Sequence, residues 1–162
     1  MKYKFLPHTA DIKFQAFGKS LEEAFLNSAL ALKEVMYKKL KVKGKIKKKI
    51  CVKGKDKESL LYDFLEEFLF LLDSENFILS SINNLKISER AGSYILTCEA
   101  TGNDANNYNF TNNVKAITYN EMKIWIEKNK YACQIVSEII IVSIISSSFA
   151  SKYITPCSFT YF

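Results

Sequence analysis

His8, Thr9, Ala10 and Asp11 bring the chain's one histidine within three residues of a carboxylate. The two side chains support different chemistries. An aspartate is a hard oxygen donor suited to calcium, magnesium or manganese, whereas a histidine exchanges protons near neutral pH or binds a metal through nitrogen. A single histidine does not complete a Ser-His-Asp or Cys-His arrangement, and nothing around Cys51 or Cys133 marks either as a nucleophile. A stand-alone hydrolase built on Asp11 and His8 would require both groups within hydrogen-bond reach of one pocket. Taken alone, Asp11 reads as readily as a turn or cap carboxylate, and His8, beside Pro7, as a local hydrogen-bonding residue.

The elements that must position these residues are legible from pattern. Ile12, Phe14 and Ala16 alternate with Lys13 and Gln15, the period-2 mark of a strand with one buried face, so Asp11 sits at a strand entrance. After Gly18, Ser20 and Glu23 have capping-box spacing, which satisfies the free amides of a helix start. Leu21, Ala24, Phe25, Ser28, Leu32 and Val35 then repeat at helical intervals to about residue 36. Ile46, Ile50 and Val52 predict a second strand, at an edge or half exposed, ending at Gly54. Asp56 is placed to cap a second helix, whose stripe of Leu61, Phe64, Leu65, Phe68 and Leu72 is widened by Leu60, Leu69, Phe70 and Leu71. So apolar a helix belongs between layers, with Asp63, Glu66, Glu67 and Asp73 on the side facing water or a polar partner.

Strands are predicted over residues 77–88 and 93–102, joined at Ala91-Gly92 as a hairpin. Residues 103–113 hold six asparagines and read as a loop with too little apolar surface to fix itself, its tip mobile. The next segment alternates, with Val114, Ala116, Thr118, Met122 and Ile124 to one side and Lys115, Ile117, Tyr119, Glu121, Lys123 and Trp125 to the other. A turn at Asn129 leads to a last strand from about residue 131. This order predicts an α+β fold: one domain, two main helices packed on mainly antiparallel β-sheet.

With 162 residues, nearly half apolar and a quarter charged, the chain suits one soluble globular domain rather than a disordered segment. The N-terminal residues lack the apolar run of a secretory signal, and Ile139–Val142 with Ile144-Ile145 is too short for a membrane span. An intracellular protein, cytoplasmic or nuclear, is expected, with no membrane partner. Four cysteines without a CxxC spacing fit reduced thiols rather than a zinc site or disulfide framework. The five glycines stand isolated, which excludes a phosphate-binding P-loop. Residues 38–57 carry eleven lysines and one aspartate, a charge of +10 against +6 for the whole chain. Lys38 to Lys57 form either a weak or indirect RNA contact or a solvated edge guarded against stray strand pairing. Arg90 is the only arginine, so bidentate phosphate forks are nearly absent.

Four segments together resemble the archease family: His8-Thr9-Ala10-Asp11; Gly18-Lys19-Ser20-Leu21-Glu22-Glu23-Ala24-Phe25; Leu60-Leu61-Tyr62-Asp63-Phe64-Leu65; and Val114-Lys115-Ala116-Ile117-Thr118-Tyr119. The resemblance spans residues 1–139, an archease-like domain, and leaves residues 140–162 as a C-terminal extension without family counterpart. Archeases are small helper proteins for RtcB-type RNA ligases, which join RNA ends in tRNA splicing. The resemblance therefore implies an accessory activator that promotes guanylylation and turnover of its ligase partner, which binds the GTP, and not an enzyme in its own right. It also implies a divalent metal ion, calcium first with magnesium or manganese as alternatives, held by Asp11, by Glu138 and by the main chain beside it at Ile139. Lys115 matches a lysine implied in ligase activation, with His8 next to the site.

Two positions depart from the family pattern. Glu138 stands where an aspartate is common, its carboxylate about 1.5 Å farther out on ordinary bond geometry. Asn120 stands where a histidine often follows the tyrosine. Three rivals remain beside the ligase reading: a lysine-rich nucleic-acid-binding module, the stand-alone hydrolase, and a chaperone-like role resting only on the family's helper character. The ligase reading makes one structural demand: the first and last strands must lie together, so that Asp11, Glu138 and Lys115 converge.

Overall fold

The computed structural model describes residues 1–139; the extension read at residues 140–162 lies outside them. In chain order the elements are β1 (Tyr3–Leu6), β2 (Ile12–Gly18), α1 (Leu21–Tyr37), β3 (Ile46–Gly54), α2 (Lys57–Glu75), β4 (Phe77–Arg90), β5 (Ser93–Asp104), a 3-10 turn at Ala105–Asn107, β6 (Val114–Glu127) and β7 (Lys130–Ile139). The strands form two sheets, ordered β1-β2-β7-β6 and β3-β5-β4, with every pairing antiparallel. This is the expected α+β class, with the sheet divided in two. Both helices touch both sheets, and α2 packs on β6 of one and on β3, β4 and β5 of the other.

Each helix starts where the residues said it would. Ser20 caps α1 by accepting from the Glu23 amide, while the Glu23 carboxylate reaches back to the Lys19 amide at 2.7 Å. Asp56 and Ser59 form a reciprocal capping box on α2, a device worth about 1 kcal/mol. The strand before each helix ends in a glycine pressed on that helix: a Cβ on Gly18 would lie 2.3 Å from the Ala24 amide nitrogen, and one on Gly54 2.5 Å from that of Leu60. Neither position has room for a side chain.

The core lies where the helices meet the sheets, and Phe14, Phe25, Leu32, Leu61, Phe64, Leu65, Ile78 and Leu96 are fully buried there. Each such side chain contributes roughly 1.5–3 kcal/mol relative to exposure. Of the residues expected to widen the α2 stripe, Leu60, Leu69 and Leu71 are buried but Phe70 is exposed. β3 is an edge strand, as expected. The hairpin turns at Ala91-Gly92 and Lys128-Asn129 have positive φ at both central residues, the mirror-image turn that matches strand twist.

Two expectations are corrected. Residues 103–113 are not a loop throughout, since Asn103 and Asp104 end β5 and a 3-10 turn follows. Asn103 is buried within β5, where its amide donates to the Lys43 carbonyl and the Tyr108 hydroxyl, both at 3.0 Å. Phe110 packs edge-on against Tyr37 at 5.2 Å. The segment borrows its buried surface from the rest of the domain, which composition alone does not reveal. The simple alternation along β6 also fails, because Val114, Ile117 and Met122 are all buried. Register shifts lie between Val114 and Ala116 and between Thr118 and Lys123, so the inward face changes parity along the strand.

Candidate functional site

β7 lies between β2 and β6, so residues more than a hundred positions apart meet at one end of a sheet. Ile12, which follows Asp11, pairs with Ser137, which precedes Glu138, so Asp11 enters its strand at the end of the sheet where Glu138 lies. On the other side of β7, Val114 pairs with Ile139 and Ala116 with Glu138, and Lys115 occupies the register shift between them. The structure thus brings Asp11, Glu138, Ile139 and Lys115 to one place. Asp11 and Ile139 are half-buried, while Lys115 and Glu138 are exposed.

Ala10 takes a left-handed φ of 65° just before Asp11, which bends the chain into the strand. Asp11 and His8 line one largely apolar cleft of about 790 Å³, with Phe5, Ile12, Glu34 and Val35. Yet His8 engages a different carboxylate. Its Nε2 lies 3.8 Å from Glu121 of β6, and its Nδ1 is buried without a hydrogen-bond partner. Glu121 also receives Lys13 as an ion-pair partner, and its backbone carbonyl accepts from the Gln134 side chain at 2.9 Å. The Lys13 ammonium, and secondarily His8, hold the Glu121 carboxyl below its ordinary range.

Four contributors escaped sequence reading: Glu66 as an anchor, Tyr62, Tyr119 and Glu121. Glu66 accepts a hydrogen bond from the Ile117 amide at 2.6 Å, tying α2 to β6 two residues beyond Lys115. Tyr62, one helical turn before Glu66, stacks on Tyr119 with ring centroids 4.7 Å apart. Burial first, then the charges of Glu66, Asp63 and Glu138, raise the Tyr62 hydroxyl pKa. The i, i+4 spacing of Tyr62 and Glu66 was the available signal, since it puts both on one helix face. For Glu121 there was none, because its position depends on the β6 register shift and on a left-handed φ of 60°.

Among the described residues no three or more His, Cys, Asp or Glu side chains gather as metal ligands. The donors near this end of the sheet are the carboxylates of Asp11 and Glu138 and the main chain at Ile139. These are hard oxygen donors, and a hard cation completes such a set with water. Burial pushes the Cys98 and Cys133 thiols up to about 12, which leaves neither as a thiolate near neutral pH. No helix of the described residues is long and apolar enough to cross a membrane.

A family model described as the archease protein family matches residues 3–139. The protein archease of Methanosarcina barkeri is 38% identical over 140 residues, covering 85% of this chain and 96% of that one. The protein archease of Pyrococcus furiosus is 41% identical over 119 residues, covering 72% and 83%. Among solved structures, Methanobacterium thermoautotrophicum protein 1598 aligns with a TM-score of 0.73 at 31% identity, over 85% of this chain and 99% of that one. A Thermotoga maritima protein described as an archease and possible chaperone shares the fold, with a TM-score of 0.50 at 18% identity over 83% and 95%.

Proposed function

Since this chain belongs to the archease family, we propose that it is an accessory protein that activates an RtcB-type RNA ligase, promoting ligase guanylylation and turnover. The observation that supports the reading is the three-strand register, in which Ile12 pairs with Ser137, Ala116 with Glu138 and Val114 with Ile139, so that Asp11, Glu138 and Lys115 belong to one end of the same sheet. In this reading the chemistry of nucleotide and RNA ends stays with the ligase. This chain contributes a charged strand end that docks at the mouth of the ligase active site.

Asp11, Glu138 and the main chain at Ile139 would hold a divalent cation, calcium first by the flexible oxygen coordination that it accepts. When bound, such an ion supplies positive charge between two carboxylates that otherwise repel each other. The extra methylene of Glu138 is accommodated at a strand end whose side chain is exposed, where a rotamer change costs little packing. Lys115 offers a mobile point charge to phosphate or carboxylate groups of the partner. Glu66 and the Tyr62–Tyr119 stack hold β6 against α2 behind it.

His8 serves as a neighbour of Glu121 rather than a partner of Asp11, which disfavours the hydrolase alternative because that mechanism needs both groups directed at one reacting atom. The test is a purified mixture of ligase, GTP and this protein, with ligase guanylylation as the readout. Asp11→Ala and Lys115→Ala are each expected to lower the stimulated rate at least tenfold. Wild-type stimulation by both variants would refute the reading.

A further inference from the structure

The three-stranded sheet β3-β5-β4 has one face toward the helices and one toward solvent. Ile50, Val52, Leu96, Cys98, Ala100 and Ile82 are buried on the inner face. Their alternates project the other way, and among them Lys47, Lys49, Lys53, Lys86 and Arg90 are all exposed. Register places them together: Lys47 opposite Thr101, Lys49 opposite Glu99, Lys53 opposite Ile95, Lys86 opposite Thr97 and Arg90 opposite Ser93. Five cations on the two strands that flank β5, about 10 Å apart across the sheet, thus face solvent, with Glu99 as the one carboxylate on the outer face of the strand between them. Lys47 pairs with Glu99 at 3.4 Å; among the described residues Lys49, Lys53, Lys86 and Arg90 make no ion pair.

We infer that this outer sheet face binds the phosphodiester backbone of RNA, in the same complex in which the protein serves its ligase. The choice of RNA over other nucleic acid rests on the ligase reading; the choice of a polyphosphate rests on the face itself. Lysine is depleted where proteins bury surface against proteins, whereas loosely held ammonium groups suit phosphates through counterion release. A membrane surface would call for apolar side chains to insert, and none of the exposed large apolar residues lies on this face. The same lack of exposed aromatics leaves nothing to stack on bases, so binding follows the backbone without sequence preference. The lysines of residues 38–45 extend the positive field along the chain leading into β3.

The test uses the full chain, a fluorescein-labelled 20-nucleotide single-stranded RNA and anisotropy titrations at 50 and 200 mM salt. With five cations engaged, affinity is expected to fall roughly a hundredfold between the two salt concentrations. The triple variant Lys49→Gln/Lys53→Gln/Lys86→Gln should retain its circular dichroism and melting profile, bind more weakly, and lose less than about tenfold over the same salt range. Lys123→Gln/Lys128→Gln, in β6 and the β6–β7 turn, should bind as wild type. Absent RNA binding at 50 mM salt, equal loss in both variants, or binding only to vesicles containing one-third phosphatidylserine would each overturn the inference. Ligase guanylylation measured without RNA separates the two readings: the triple variant should stimulate it normally, whereas failure of the wild type to stimulate it would strike at the ligase reading alone.

Discussion

The carboxylate of Glu66 accepts the amide hydrogen of Ile117 at 2.6 Å, so an acid in the middle of α2 terminates a strand edge that its own sheet leaves unpaired at that point. Lys115 lies two residues earlier, at the register shift of β6. The strand that carries Lys115 is therefore tied to α2 as well as to β7.

Glu66→Ala should lower stability by about 1–3 kcal/mol, because a part-buried amide loses a charged acceptor. Urea denaturation measures this. Glu66→Gln keeps an acceptor oxygen and should recover most of the stability and of the ligase stimulation. Equal loss in the two variants would show that charge, not the hydrogen bond, is what matters.

Calcium titration by calorimetry addresses the acidic pair. A site with two carboxylates and water ligands is expected to bind in the range of about 0.1–1 mM. Asp11→Asn or Glu138→Gln should each weaken that beyond detection, and Glu138→Asp should retain it. Unchanged binding in Asp11→Asn would place the ion elsewhere.

Burial first, then the charge of Glu75, raise the Glu67 pKa above its ordinary value. A folded pKa raised above the unfolded one means that the proton is held more tightly in the folded state. The associated stability is complete below the unfolded pKa and is lost as pH rises through the folded pKa. Asp63 and Asp73 shift in the same direction by burial. Glu67→Gln, which resembles the protonated form, should therefore raise the melting temperature at pH 7, with the gain vanishing below about pH 4. A gain that persists undiminished in acid would contradict the electrostatic cause.

Asn103→Ala should cost about 1–3 kcal/mol, since the Lys43 carbonyl, the Tyr108 hydroxyl and the Asp104 amide all lose a partner. Amide hydrogen exchange across residues 104–113 should accelerate with it. No change there would mean that Phe110 alone anchors the segment.

How much of this was legible depended on range along the chain. Ser20 with Glu23 and Asp56 with Ser59 specify helix starts through bonds spanning three residues, and Ile12, Phe14 and Ala16 specify a strand face by alternation alone. Hairpin turns at Gly92 and Asn129 are local in the same sense. Asn103 was misread because its partners, Lys43 and Tyr108, come from different loops. The β6 alternation was misread because its register shifts answer to β7 and α2 rather than to neighbouring residues.

By itself, then, the sequence determined the elements, their caps and a short list of charged residues worth watching, because each of those signals lies within one or two turns of chain. Only the tertiary structure decided that β7 runs between β2 and β6, that Asp11 and Glu138 come to one end of a sheet while His8 turns to Glu121, and that Lys47, Lys49 and Lys53 of β3 share a face with Lys86 and Arg90. The physical reason is that pairing between distant strands is selected by how well whole faces bury against α1 and α2, a property that no local stretch of residues contains.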